Sequence, residues 1–130
     1  MRRLAQIKQN KNFFIKDTYK EIKVFYKDSL VFYMSYKNCD NLEIKEYSNG
    51  ILINYLYPEN ELGERNYFQC VEFYNNNGEC VLNEKLILNS NNILNDVIVY
   101  KDIVVCQLKG KLEDIEIEYP ILSMSDEMTM

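Results

Sequence analysis

Apolar and polar positions alternate along most of this chain with a period of two. From about residue 22 onward, short runs of Val, Ile, Tyr, Phe and Leu are separated by Asn, Asp and Gly, the pattern of half-buried strands punctuated by turns. Strands are predicted near 13 to 16, 22 to 27, 30 to 36, 42 to 48, 51 to 57, 67 to 74, 79 to 88, 96 to 100, 103 to 109 and 114 to 119. Leu4 and Ile7 are spaced for one face of a short helix over residues 2 to 9, although two positions are a small basis for it.

Two Asn-Gly pairs supply the turns. Taking Asn49 and Gly50 as the centre of a type I′ hairpin pairs Ser48 with Ile51 and Ile44 with Tyr55. That register puts Leu42, Ile44, Ile51, Ile53, Tyr55 and Tyr57 on one face and Glu43, Lys45, Leu52 and Asn54 on the other. Asn77 and Gly78 mark a second hairpin. Pro58 and Pro120 each fall just after a strand, where a missing N–H costs the ladder nothing.

The stretch "VFYKDSLVFYMSYKN" at 24 to 38 is echoed by "IVYKDIVVCQLKGK" at 98 to 111. With one gap at Ser29, six of 21 positions are identical, and both copies read as strand, Tyr-Lys-Asp turn, strand, polar turn, strand. This is a three-strand meander used twice. Its rhythm is that of a propeller blade, but two blades cannot close a ring of four to eight. The expected fold is therefore all-β, with antiparallel meanders forming a two-sheet sandwich or partly open barrel. A propeller completed by oligomerisation is the lesser alternative, and the oligomeric state is left open.

At 130 residues the chain fits a single all-β domain, with residues 1 to 12 as a basic arm or short helix and 122 to 130 as a flexible tail. Net charge is −5, but residues 1 to 27 carry eight Lys or Arg against two acids, so that segment is +6 and the remaining 103 residues sum to −11. A basic arm on an acidic body can reach an acidic partner or nucleic acid, or lie against the body's own carboxylates, and the last is the plainer reading. No segment has the length and apolarity of a signal peptide or membrane span, which leads to an expectation of a cytoplasmic protein with no membrane partner.

Composition removes much chemistry. The chain has no His, hence no Ser-His-Asp or Cys-His arrangement and no histidine general base. No G-x-x-x-x-G-K-[ST] or G-x-G-x-x-G is present. Cys39, Cys70, Cys80 and Cys106 are spaced 31, 10 and 26 apart with no C-x-x-C, which does not suit a metal site. Across the 77 to 78 turn, Cys70 and Cys80 fall on opposite faces and should not form a disulfide. Cys80 and Cys106 are expected in the core and Cys39 in a loop. No cofactor, metal site or catalytic residue is predicted.

Two surface features remain. "LEDIEIEYP" puts Asp114, Glu116 and Glu118 on one face of a strand, a stripe able to meet a cation or a basic partner and equally the ordinary wet face of an edge strand. Eleven tyrosines, with no Trp, suggest an interface. In "LVFYMSY", Tyr33 shares a face with Val31 and Ser35, opposite Leu30, Phe32, Met34 and Tyr36. The functional expectation is a small non-catalytic protein that blocks or scaffolds a protein partner, a basic one being suited to the acidic body, in the manner of an immunity protein or phage inhibitor. Its contact residues would be Tyr33, Tyr36, Asp114, Glu116 and Glu118. The alternative is a β-sheet module in which those acids and nearby tyrosines hold a cation, sugar or nucleotide. Nucleic acid is not expected to be the main ligand of so acidic a body.

Overall fold

The computed structural model describes residues 2–61, 64–87 and 92–122, with side chains described at 2–58, 68–86 and 93–122. Ten strands follow one another: β1 (Phe13–Asp17), β2 (Glu21–Tyr26), β3 (Ser29–Ser35), β4 (Asp40–Tyr47), β5 (Gly50–Glu61), β6 (Glu64–Asn75), β7 (Cys80–Ile87), β8 (Asn92–Val99), β9 (Ile103–Gly110) and β10 (Asp114–Pro120). All ten predicted strands are present. The expected tail at 122 to 130 lies, apart from Leu122, outside the described residues.

The strands form three antiparallel sheets, ordered β1-β2-β3, β4-β5-β6-β7 and β8-β9-β10, and none closes into a barrel. The fold is an all-β sandwich with one sheet more than the two expected. Alternation along the central strands explains the extra layer. Ile51, Ile53 and Tyr55 of β5, with Cys70 and Tyr74 of β6, pack on Phe13, Ile22, Val24 and Phe32 of the first sheet. The intervening Leu52, Val71 and Phe73, with Leu82 of β7, pack on Val99, Val104 and Cys106 of the last sheet. Strands apolar on both faces need cover on both faces.

The turn of the β4-β5 hairpin lies one residue earlier than predicted. Tyr47 faces Gly50 and Ile44 faces Ile53, so Ser48 and Asn49 form the turn. A shift of two in the pairing sum preserves the faces, so the predicted sidedness holds. Gly50 belongs to the strand: a Cβ there would collide with the Tyr74 carbonyl and lie 2.7 Å from the Phe73 ring. At the β6-β7 turn Gly78 takes φ +76°, with the Gly78 N–H donating to Asn75 O at 2.9 Å. Pro58 falls inside β5, not after it. Pairing with β4 runs no further than Leu56, so beyond that point β5 has one neighbour and a missing N–H can face the open side.

Residues 2 to 9 form no helix. They run extended as a strap, bridging Leu4 to Tyr100 and Ile7 to Tyr47. Ala5 N–H donates to Val99 O at 2.9 Å, and Ser48 N–H donates to Gln6 O at 2.8 Å. Ala5 is the buried residue here, while Leu4 and Ile7 point to solvent. Asparagines secure the strap: buried Asn10 donates to Tyr47 O and to Asn76 Oδ1, both at 2.8 Å. Asn76 donates to Ser48 O, and Asn49 donates to Tyr100 O.

All four cysteines are free. A register shift between Phe73 and Tyr74 sets Tyr74 opposite Cys80, which turns Cys80 to the same side as Cys70, contrary to the parity argument. The bridge is prevented by distance instead, because Cys70 sits opposite Lys85, five residues along β7 from Cys80, or roughly 16 Å. Cys80 is exposed where a core position was expected, while Cys39 lies in the loop before β4, as expected, and is buried there. Among the described residues no helix is long and apolar enough to cross a membrane.

Candidate protein-binding face

β1, β2 and β3 turn Phe13, Ile22, Val24 and Phe32 inward, so their alternate positions face away from the molecule. Phe14 pairs with Phe25, and Phe25 with Leu30, giving one row across all three strands. Lys16, Lys23 and Tyr33 form the next row. Phe14 is 62% exposed, Leu30 52% and Tyr33 49%. The Phe14 and Phe25 rings lie 6.3 Å apart between centroids. An outer sheet face ordinarily carries polar side chains; this one presents a contiguous apolar row flanked by two lysines.

Leu30 reaches that row through a β-bulge. Phe25 faces Leu30 but Val24 faces Phe32, so Val31 is an extra residue in β3. Leu30 thereby parts from Phe32 and joins Tyr33, correcting the strict alternation predicted for this stretch. The gap that aligns the echoed segments at Ser29 is the sequence trace of this insertion. Lys23 Nζ lies 3.6 Å from Glu21. The Tyr33 phenol is held above its ordinary pKa first by its hydrogen bond to Glu21.

Of the five residues predicted to meet a partner, Tyr33 alone is on this face. Tyr36 lies in a 3-10 turn at Tyr36–Asn38, packs against the core and donates to Asp17 Oδ1 at 2.5 Å. Burial first, and Asp17 second, push its phenol up to about 12. Asp114, Glu116 and Glu118 do share one face of β10, as predicted, but that is the outer face of the third sheet, pointing away from the first. Glu118 pairs with Arg2 at 2.6 Å, so the basic arm does lie against the body's carboxylates there. Glu116 accepts from Gln107 Nε2 at 3.0 Å, and Asp114 faces Lys109 across the ladder. The five residues therefore do not form one surface. Phe14, Phe25 and Leu30 were missed, and their signal was available in "FFIKD" and "VFYKD", each with an aromatic at an outward position.

Two other features have chemical character. Glu72 is 8% exposed, and each of its carboxylate oxygens accepts from a phenol, Tyr55 at 2.9 Å and Tyr74 at 2.7 Å. Both phenols are held above their ordinary pKa, by burial first and then by Glu72. A cleft of about 340 Å³ opens nearby, with Tyr55, Tyr57 and Met34 on its walls and Lys85 at its mouth. Lys85 Nζ lies 4.2 Å from the centre of the Phe68 ring. Among the described residues no group of three or more His, Cys, Asp or Glu is placed to hold a metal ion.

Comparison of the chain with protein-family models, with curated proteins and with solved structures finds no match.

Proposed function

We propose that this all-β sandwich is a non-catalytic binding module that blocks or scaffolds a protein partner through the outer face of β1-β2-β3. The observation that carries the reading is the row of exposed Phe14, half-buried Phe25 and exposed Leu30 beside exposed Tyr33, on a sheet whose other face already closes a core. Large apolar side chains aligned across three strands are disfavoured in water and suit the desolvated centre of an interface. Lys16 and Lys23 beside the row favour a partner with an acidic rim there, while a basic partner would suit the opposite face with Asp114 and Glu116.

The test places a photo-crosslinking amino acid at position 33 or, in a separate variant, at 116, in the native source. The expected result is one discrete protein crosslinked from 33 and not from 116, with the crosslink from 33 lost when Leu30→Ser and Phe14→Ser are added. A crosslink from 116 alone, or one indifferent to those two substitutions, would overturn the assignment. Truncating Tyr33 to Ala is expected to weaken binding by about tenfold or more, as aromatic residues at interface centres do.

A further inference from the structure

The face of the central sheet toward the last sheet changes character along its length. Leu52, Val71 and Phe73 are buried there. Two residues further along the same strands and the same face stand Asn54 and Gln69, and the β4 neighbours of Asn54 and Leu52 are Glu43 and Lys45. Polar side chains at inward positions of a sandwich are costly when packed dry. Here they are not packed dry, because β8 carries a bulge at Asn95: Leu94 faces Leu108, but Asp96 faces Gln107. A cleft of about 160 Å³ lies between the sheets at that point, lined by Glu43, Lys45, Asn54, Gln69, Asn95 and Asp96. Leu52 and Leu94 supply an apolar floor.

The hydrogen-bonding capacity of these groups is only partly used within the protein. Gln69 Nε2 donates to Asn54 Oδ1, which leaves the Asn54 amide N–H groups and the Gln69 carbonyl. Asp96 Oδ1 accepts from Val97 N at 2.8 Å, leaving Oδ2. Lys45 sits 3.2 Å from Glu43 Oε1, leaving Oε2. Two carboxylates against one ammonium make the cleft net negative, which disfavours an anion. The Lys45 ammonium beside Glu43 disfavours a metal ion. What fits is a neutral molecule whose groups both donate and accept, as hydroxyls do. At about 160 Å³ the cleft has ample room for several waters and is of the scale of one sugar ring.

We propose that the cleft at the Asn95 bulge binds a neutral polyol of monosaccharide size, its hydroxyls held by the Asn54, Gln69 and Asn95 amides and its C–H face resting on Leu52 and Leu94. This site is independent of the aromatic face of the first sheet.

Saturation-transfer NMR on the full chain, with glucose, glucosamine and glucuronate as probes, tests it. Glucose and glucosamine are expected to receive saturation, with glucosamine the tighter, and glucuronate to bind at least tenfold more weakly than glucose. Asn95→Ala and Gln69→Ala should each weaken glucose binding about tenfold, while Tyr33→Ala leaves it unchanged. Glu43→Gln should remove the preference for glucosamine over glucose, a readout that loss of folding cannot mimic. No transfer to any of the three sugars, glucuronate bound as well as glucose, or glucose binding unaltered in both amide variants would overturn the proposal.

Discussion

Raising the pH above 9 should destabilise this protein, and the groups responsible can be named. Cys39, Cys70 and Cys106 are buried thiols, and burial pushes Cys106 from its ordinary value near 9 up to about 11 and raises the other two. Tyr55 and Tyr74 are raised by burial and by Glu72. In each case the folded chain keeps a proton that the unfolded chain releases at lower pH. The stabilisation is therefore fully present below the unfolded values, near 9 for the thiols and 10 for the phenols, and is lost as pH rises through the folded ones. Each such group, where the difference is fully developed, contributes a slope of about 1.4 kcal/mol per pH unit. Of these groups Cys106 sets a definite window, between its ordinary value near 9 and about 11, and Cys39, Cys70, Tyr55 and Tyr74 act in the same direction. Against a total stability of about 5–15 kcal/mol, the parent should lose a measurable share of its stability between pH 9 and 10.5. The assay is the urea midpoint by circular dichroism from pH 7 to 10.5 under reducing conditions. Cys106→Ala isolates one contribution: it should cost about 1 kcal/mol at pH 7 through the small cavity. It should then recover about 2 kcal/mol relative to the parent between pH 8 and 10.5, so that the two curves cross. A parent midpoint flat from pH 8 to 10.5, or two curves that stay parallel, would refute the reasoning.

Other substitutions separate packing from surface. Gly50→Ala drives a methyl into the Tyr74 carbonyl and the Phe73 ring, and a loss of about 3 kcal/mol or more is expected in chemical denaturation. Asn10→Ala removes the donor shared by Tyr47 and Asn76; it should cost about 1–3 kcal/mol and speed hydrogen exchange at Ala5 and Lys8, whose amides are tied to Val99 and Glu46. Arg2→Ala breaks the exposed pair with Glu118 and should change stability by about 0.5 kcal/mol or less. Phe14→Ser with Leu30→Ser should leave the thermal midpoint within about 2 °C of the parent, since neither side chain enters a core, which makes the pair a clean probe of binding.

Strand positions were legible because burial here follows the period of two so closely. The sidedness of residues was legible only between bulges. One inserted residue at Val31 sends Leu30 outward, and one register shift at Tyr74 brings Cys80 to the Cys70 side; each is a local backbone choice that residue types do not announce. Leu4 and Ile7 misled because a strap with backbone bonds to two hairpins needs no apolar face of its own. The acidic stripe fell on the face expected of it. That Tyr33 and the stripe lie on opposite outer sheets was not readable, since nothing local in the chain says which sheets share a layer.

The two echoed hairpins clarify how the three layers arise. β2-β3 and β8-β9 each turn at Tyr-Lys-Asp, and the central sheet lies between them, so the repeat supplies one covering hairpin for each face. The copies part at the next connection. After β9 Lys111, Leu112 and Glu113 stay exposed and return the chain directly as β10. After β3 the matching connection is "YKNC", in which Tyr36 packs on the core and holds Asp17 while Cys39 is buried. Those two side chains draw the connection inward, so the third strand joins the central sheet as β4 and the first sheet takes its third strand from the N-terminal side, as β1. That exchange brings Phe14 beside Phe25. The exposed aromatic row thus follows from the point where the repeat departs from itself, and it has no counterpart on the β8-β9-β10 face, where Glu118, Val105 and Ile98 occupy one row and Glu116 and Gln107 stand in the next.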